Sequence, residues 1–257
     1  MRTDVEMIEL EGDEIVKLYP AVGGRQPAED EARLTRLIKQ VGIEAPFVHE
    51  VVERDGRFGV RMDKVLGPTF LEWVMLRPAA LNKLASYFAY EHHEMHLHRL
   101  PELPPLKEKL AARISSCAKL SEKQRSVALD ALKSLPDGDH VLHGDLHPEN
   151  VVVSLDGPVF VNWGEAAKGH YLADVAKSVL LMELGDLPWK RRAEGRERVE
   201  GIWDRFRFTY QLEYMKICNM PDEDLQAWKL PLAAAMLADD RKVEQAPLLE
   251  LIDSKVG

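Results

Sequence analysis

The fold of this chain is decided by the stretch His143-Gly-Asp145-Leu-His147-Pro-Glu-Asn150 and by Val161-Asn162-Trp163-Gly164, which follows it. The first stretch lies between two strand-like runs, residues 139–142 and 151–153. It is therefore expected to form a tight loop that carries His, Asp and Asn side chains at fixed spacing. Polar loops held by buried strands are where proteins commonly place their chemistry.

The spacing H-x-D-x-x-x-x-N is that of a kinase catalytic loop, in which the Asp accepts the hydroxyl proton and the Asn ligates a metal. The stretch resembles the aminoglycoside phosphotransferase family, the small-molecule branch of the protein-kinase-like fold. That family reads H-G-D-x-H-x-x-N followed by I-D-W, and the resemblance is strong over residues 141–180. It implies Asp145 as the catalytic base and Asn150 as a metal ligand. An Asn that caps the loop through backbone bonds is the weaker interpretation of Asn150.

One letter departs from the family pattern, because Asn162 occupies the position of the family's principal magnesium-binding Asp. Magnesium prefers carboxylate, water and phosphate oxygens, and an amide oxygen brings no negative charge. The resemblance thus implies Asn162 as a second metal ligand of reduced affinity. Glu165 could supply a carboxylate directly or through water, although a solvated loop acid is the favoured interpretation of that residue.

The N-terminal part of the chain has strand patterns around one helical pattern. Residues 7–10 and 14–19 predict a hairpin, and the Asp55-Gly56 turn predicts a second hairpin from two further strands, residues 46–53 and 57–65. Apolar residues recur at helical spacing over residues 28–40.

The remainder of the chain is mainly helical in pattern, and Thr69 is a plausible N-cap for a helix that begins at Phe70. Further helical patterns cover residues 172–184, 191–219 and most of 222–252. This order is not the alternation of a doubly wound sheet. With the resemblance, it predicts an α+β, bilobal protein-kinase-like fold. The small β-rich N-lobe would span residues 1–66 and bind nucleotide, and the larger, mainly helical C-lobe would span residues 67–257.

A lysine in the second strand is the candidate phosphate-binding residue. Lys17 stands between Val16 and Leu18, so strand alternation places it on the opposite face from those two apolar neighbours. A lone strand lysine usually faces solvent. Here the resemblance implies a lysine that contacts nucleotide phosphates and pairs with a helix glutamate, namely Glu31, with Glu29 as the alternative.

The segment between the predicted lobes resembles the family's hinge, whose backbone bonds the adenine edge. The resemblance implies nucleotide contacts at Met62, Asp63, Lys64 and Val65, with Met62 and Val65 lining an apolar slot. A core strand followed by a glycine turn describes the same residues. Only Met1 precedes the Arg2-Thr3 segment, and no G-x-G-x-x-G occurs, so we expect a short nucleotide-covering loop with a looser grip on phosphate.

Several other polar residues have supporting interpretations. His143 is expected to bond backbone near the second metal segment, and packing is favoured over a phosphate contact for His147. The resemblance implies that Asp174 accepts backbone bonds from the catalytic loop. His92 and His96 are four residues apart and could chelate a metal, but packing is the favoured interpretation of both.

Composition limits the classes of partner. The chain has 257 residues, 46% hydrophobic and 30% charged, with a net charge of −9, which disfavours nucleic acid. Such an acidic balance could attract a cationic substrate, although solubility is the favoured explanation. The start of the chain lacks a signal-peptide pattern, and no apolar window predicts a membrane span. The two cysteines form no motif, which fits a cytoplasmic location.

The resemblance implies a phosphotransferase that uses ATP, or another nucleoside triphosphate, with Mg²⁺ to phosphorylate a hydroxyl of a small molecule, aminoglycoside-like or other. The alternative is a catalytically impaired pseudokinase that binds nucleotide or a small molecule, because of Asn162 and the short first strand. Neither the acceptor nor the oligomeric state follows from the sequence.

Overall fold

The computed structural model describes residues 5–184, 196–238 and 245–256. The chain forms two compact units, the first from residues 1–76 and 143–166 and the second from residues 77–142 and 167–257. The predicted boundary between residues 66 and 67 separates two expected functions, whereas the two units are defined by the contacts within each. It therefore stays a prediction.

The first unit contains an antiparallel sheet of four strands in the order β1-β2-β4-β3. Its strands are β1 (Glu6–Glu9), β2 (Glu14–Leu18), β3 (Val48–Arg54) and β4 (Arg57–Asp63). Both predicted hairpins are confirmed, and the second turns through left-handed backbone at Asp55 and Gly56. Helix α1 (Arg25–Gln40) contributes to a buried core made of Tyr19, Ala28, Ala32, Val48, Val60 and Met62.

The same unit contains helix α2 (Phe70–Leu76) and a third hairpin, β6 (Val151–Ser154) with β7 (Gly157–Phe160). The Thr69 hydroxyl accepts the Glu72 backbone N–H at 3.2 Å, and the Glu72 carboxylate accepts the Thr69 N–H at 2.9 Å. This reciprocal pair is a capping box, so the predicted N-cap is confirmed. Gly67 passes so close to β6 that a Cβ there would lie 2.1 Å from the Val153 carbonyl oxygen.

The second unit is mainly helical. It contains the strand pair β5 (His140–Leu142) and β8 (Ala167–Gly169), and the helices α3 (Leu81–His96), α4 (Leu106–Ser116), α5 (Glu122–Ser134), α6 (Tyr171–Leu184), α7 (Arg196–Cys218), α8 (Asp222–Met236) and α9 (Gln245–Val256). The helix predicted over 191–219 is confirmed from residue 196, and residues 191–195 lie outside the described part. The single helical pattern over 222–252 forms two helices, and residues 239–244 lie outside the described part. Within the described residues, no helix has the length and apolar character needed to cross a membrane.

Candidate active site

The loop between β5 and β6 is fixed by His143, whose side chain is fully buried. Its Nδ1 accepts the backbone N–H of Asp145 at 3.2 Å, so Nε2 carries the proton and donates to the Val161 carbonyl oxygen at 3.0 Å. The imidazole also packs on the buried ring of Trp163, with centroids 4.5 Å apart. The expected bond from His143 to backbone near the second motif is therefore confirmed.

Gly144 brings the two motifs into close contact. Its φ is +76°, and a Cβ at this position would lie 2.3 Å from the Glu165 carbonyl oxygen. Real Cβ atoms do not approach an oxygen that closely, and left-handed backbone favours glycine. Both features require glycine between His143 and Asp145.

Lys17 pairs with Glu31, as predicted. Its Nζ lies 2.9 and 2.6 Å from the two Glu31 carboxylate oxygens, and the pair is nearly buried. Glu29, the alternative partner, instead pairs with Arg25 at 2.8 Å. Tyr19 lies on the same face of the chain as Lys17 because the two are two residues apart, and its hydroxyl also donates to Glu31. The sequence analysis missed this third member of the group, although the spacing of two was visible.

A directed series of hydrogen bonds runs from Lys17 to Asp145, and we call it the amide relay. Lys17 Nζ donates to Asn162 Oδ1 at 2.8 Å, and Asn162 Nδ2 donates to Asn150 Oδ1 at 2.6 Å. Asn150 Nδ2 donates to the Asp145 carbonyl oxygen at 2.7 Å and lies 3.5 Å from Asp145 Oδ2. Because an ammonium group only donates, it fixes the orientation of both amides. With Glu31, which binds Lys17, the structure thus brings five of the predicted site residues into one connected group.

Local backbone geometry positions Asn162 for this role. It adopts left-handed backbone, with φ 68° and ψ 52°, a conformation in which Asn is enriched among non-glycine residues. The following turn, Trp163–Glu165, is anchored by the Trp163 indole N–H, which donates to the Phe160 carbonyl oxygen at 2.9 Å. The position of Asn162 is therefore set by its neighbours on both sides.

The amide relay does not present a site for a resident magnesium ion. Its two amides are neutral, and the Lys17 ammonium lies 2.8 Å from the Asn162 oxygen, where it would repel a second cation. Magnesium binds carboxylate and water oxygens in preference to amides. In this arrangement the donor set does not fit the ion, and the assignment of Asn150 and Asn162 as metal ligands remains a prediction.

Of the predicted hinge residues, Met62 and Asp63 end β4, and Lys64 and Val65 follow the strand. Met62 is buried in the core of the first unit, and Val65 is half-buried. The backbone N–H of Asp63 donates to the Phe47 carbonyl at 2.9 Å, and that of Lys64 donates to the Asp13 carbonyl at 2.8 Å. These two N–H groups are therefore engaged by the first unit itself.

His147 is buried, which fits its packing interpretation, and Glu165 is half-buried in its turn. Arg2 lies outside the described residues.

The second unit has a buried polar cluster of its own. His92 and His96, one turn apart on α3, each place Nε2 near Asp174 Oδ2, at 3.2 and 3.3 Å. Their Nδ1 atoms lie 2.7 Å from the Tyr210 hydroxyl and 2.5 Å from the Tyr214 hydroxyl. The arrangement is consistent if each hydroxyl donates to Nδ1 and each Nε2–H donates to Asp174.

Protonation in this cluster follows from burial. Burial, together with the adjacent His92, lowers the pKa of His96 to about 3 despite the opposing effect of Asp174, so His96 is neutral at pH 7. Burial alone would raise the pKa of Asp174, but hydrogen bonds from the two imidazoles hold it well below its usual value. The three side chains are close enough to surround a metal ion. Nε2 atoms that carry protons offer it no lone pair, however, which favours the packing interpretation.

Comparison with known proteins agrees with the motif. Residues 4–209 match the model of the APH phosphotransferase enzyme family. The chain belongs to this family. The match covers the sheet, the amide relay and most of the helical part, so the family resemblance seen in the loop extends well beyond it. No curated protein sequence matches this phosphotransferase-family chain.

Solved structures of similar fold are also phosphotransferases. A thermostable mutant of aminoglycoside phosphotransferase APH(4)-Ia, in ternary complex with AMP-PNP and hygromycin B, is 15% identical, with TM-score 0.62, 99% of this chain covered and 93% of that chain. An aminoglycoside-3'-phosphotransferase of type VIII is 18% identical, with TM-score 0.57 and coverage of 90% and 93%. A putative fructosamine-3-kinase from Haemophilus somnus 129PT is 13% identical, with TM-score 0.60 and coverage of 95% and 84%. At these identities the likeness establishes the protein-kinase-like fold alone.

Proposed function

We propose that this family member transfers a phosphoryl group from ATP, or another nucleoside triphosphate, to a hydroxyl of a small molecule. The observation that carries the proposal is the amide relay, which joins the ammonium group of Lys17 to the loop that holds Asp145. A cation and a carboxylate at a fixed separation are the two charges that phosphoryl transfer requires. The solved structure in complex with AMP-PNP and hygromycin B supports a reaction between a nucleotide and a small molecule.

In this proposal each residue has a distinct task. The Asp145 carboxylate orients the acceptor hydroxyl and takes its proton as the oxygen attacks, for which an ordinary carboxylate pKa suffices. Lys17, held by Glu31, contacts the nucleotide phosphates. The adenine edge meets the segment from Met62 to Val65. The Asp63 and Lys64 N–H groups donate within the first unit, so the proposal assigns no adenine contact to these two groups.

Magnesium belongs to the proposal only as an ion that nucleotide phosphates would bring with them. It takes no step in the proposed reaction, because the two amides offer it no negative charge. A cytoplasmic location is also part of the proposal, and it is supported by two unpaired cysteines, Cys117 and Cys218. The net charge of −9 supports a partner other than nucleic acid.

A second candidate function is favoured by the same amides. A pseudokinase that binds nucleotide or a small molecule without transferring phosphate would not need a carboxylate at position 162. Intact Asp145 and its bond from Asn150 favour the enzyme over this alternative.

The two functions are separated by a phosphotransfer assay with labelled ATP and a panel of hydroxylated acceptors that includes aminoglycosides and ketosamine sugars. We expect acceptor-dependent transfer that is lost in Asp145→Asn. ATP binding without transfer to any acceptor would support the pseudokinase. A chain that neither binds ATP nor transfers phosphate would contradict both functions.

A further inference from the structure

The contact between Asn162 and Asn150 has a property that an aspartate could not provide. The Asn162 Nδ2 donor and the Asn150 Oδ1 acceptor are 2.6 Å apart. An aspartate in the same place would bring a second oxygen, without a hydrogen, to this short separation. Two acceptor oxygens repel each other unless a proton or a cation lies between them.

In the wild-type chain, each of the two amides is held in one orientation. Turning Asn150 would withdraw Nδ2 from the Asp145 carbonyl oxygen, 2.7 Å away, and place an oxygen against it. Turning Asn162 would place an N–H group against the Lys17 ammonium, 2.8 Å from the present oxygen. The bridging hydrogen is therefore fixed on Asn162.

The charges of the group support the same conclusion. Lys17 and Glu31 neutralise each other and the two amides add no charge, so the Asp145 carboxylate leaves the group with one negative charge. With aspartate at position 162, the same group would carry two negative charges. A nearly buried group of this kind is stabilised by a compensating cation.

We propose that the Asn162 amide takes the place of a cation. Its N–H bridges the two loop segments that a metal would otherwise hold together, so the site assembles without magnesium. The inference concerns the folded chain by itself and does not require the proposed function. If the proposed function holds, the inference also implies that ATP binding needs no bound divalent ion.

The test is the thermal midpoint of the purified chain in magnesium and in chelator, without nucleotide. We expect the wild-type midpoint to be the same in both buffers. Asn162→Asp should melt about 4 °C or more below wild type in chelator, and magnesium should restore much of the loss. Asn219→Asp is the matched control, because Asn219 also has positive φ (51°) but is exposed. It should match wild type in both buffers.

Two results would overturn the proposal: a wild-type midpoint that rises with magnesium, or Asn162→Asp as stable as wild type in chelator. If Asn162→Asp folds in neither buffer, Asn162→Gly decides, because it removes the bridge without adding charge and glycine keeps the left-handed backbone without strain. Its midpoint should fall equally in both buffers, and an unchanged midpoint would refute the bridge.

A calorimetric ATP titration then separates this inference from the proposed function. Wild type should bind ATP with similar affinity in magnesium and in chelator, whereas Asn162→Asp should bind at least ten-fold more weakly in chelator. Wild-type binding that requires magnesium would contradict the inference. Absence of binding in every condition would contradict the proposed function and leave the stability result intact.

Discussion

At the scale of single residues, Asp145 has the most direct role in the proposed chemistry. Asp145→Ala should leave folding intact and reduce turnover roughly 100-fold or more, because it removes both the base and its orienting contact to the acceptor. Steady-state kinetics with the acceptor found in the assay would measure this. Asp156→Ala, in the exposed turn between β6 and β7, is the control and should keep full turnover. Equal turnover in the two variants would place the proton acceptor elsewhere.

The lysine pair offers a second residue-scale prediction with a built-in control. Glu31→Gln removes the carboxylate that holds Lys17, so we expect the KM for ATP to rise about ten-fold with a smaller change in kcat. Glu29→Gln lies two residues away on α1 and breaks only an exposed pair with Arg25. That change should leave both constants as they are, since exposed pairs contribute little. If the two variants behave alike, Glu31 does not position a nucleotide-binding lysine.

At the scale of elements, the contact between the catalytic loop and the turn at Trp163–Glu165 depends on Gly144. Gly144→Ala should lower the free energy of unfolding by more than about 3 kcal/mol, because strained backbone and overpacking add. Gly12→Ala is the control. It has the same sign of φ (+83°) but nothing near a Cβ, so it isolates the backbone term of about 1 kcal/mol. Denaturant unfolding measures the stability of both variants. Equal losses of stability would mean that the loop moves to accommodate the added methyl group without further cost.

The elements themselves were largely predictable from local patterns. Alternation around Lys17, the Asp55-Gly56 turn and the Thr69 cap each act over a few residues, and each is confirmed. The amide relay was not predictable, because Lys17 and Asn162 are 145 positions apart and only the folded path brings them together. In the helical unit, tyrosines 210 and 214 repeat the spacing of four seen in His92 and His96, from 118 positions away. Aromatic spacing of this kind signals packing in general and does not name a partner.

At the scale of the whole molecule, the buried cluster around Asp174 should make stability depend on pH. The folded-state pKa of His96 is lowered from 6.5 to about 3, so between these values the unfolded chain binds the extra proton. The stability from this neutral imidazole is therefore complete above pH 6.5 and is lost as pH falls toward 3. His96→Gln should reduce the slope of the free energy of unfolding against pH by up to about 1.4 kcal/mol per pH unit. Thermal midpoints at pH 7.5 and pH 5 measure the effect, with half-exposed His93→Gln as the control. A slope as steep in His96→Gln as in wild type would assign the effect to other groups.

The division of the chain also has a consequence for its synthesis. The first unit takes residues 1–76 and then residues 143–166, so the unit cannot be completed while only the first part has left the ribosome. At about 5–20 residues per second, translation from residue 76 to residue 166 takes roughly 5–18 s. During that interval β2 and α1 lack the loop that Lys17 binds in the finished protein. The nascent chain must therefore wait with the Lys17–Glu31 pair lacking its partner on the loop until residue 162 has been added.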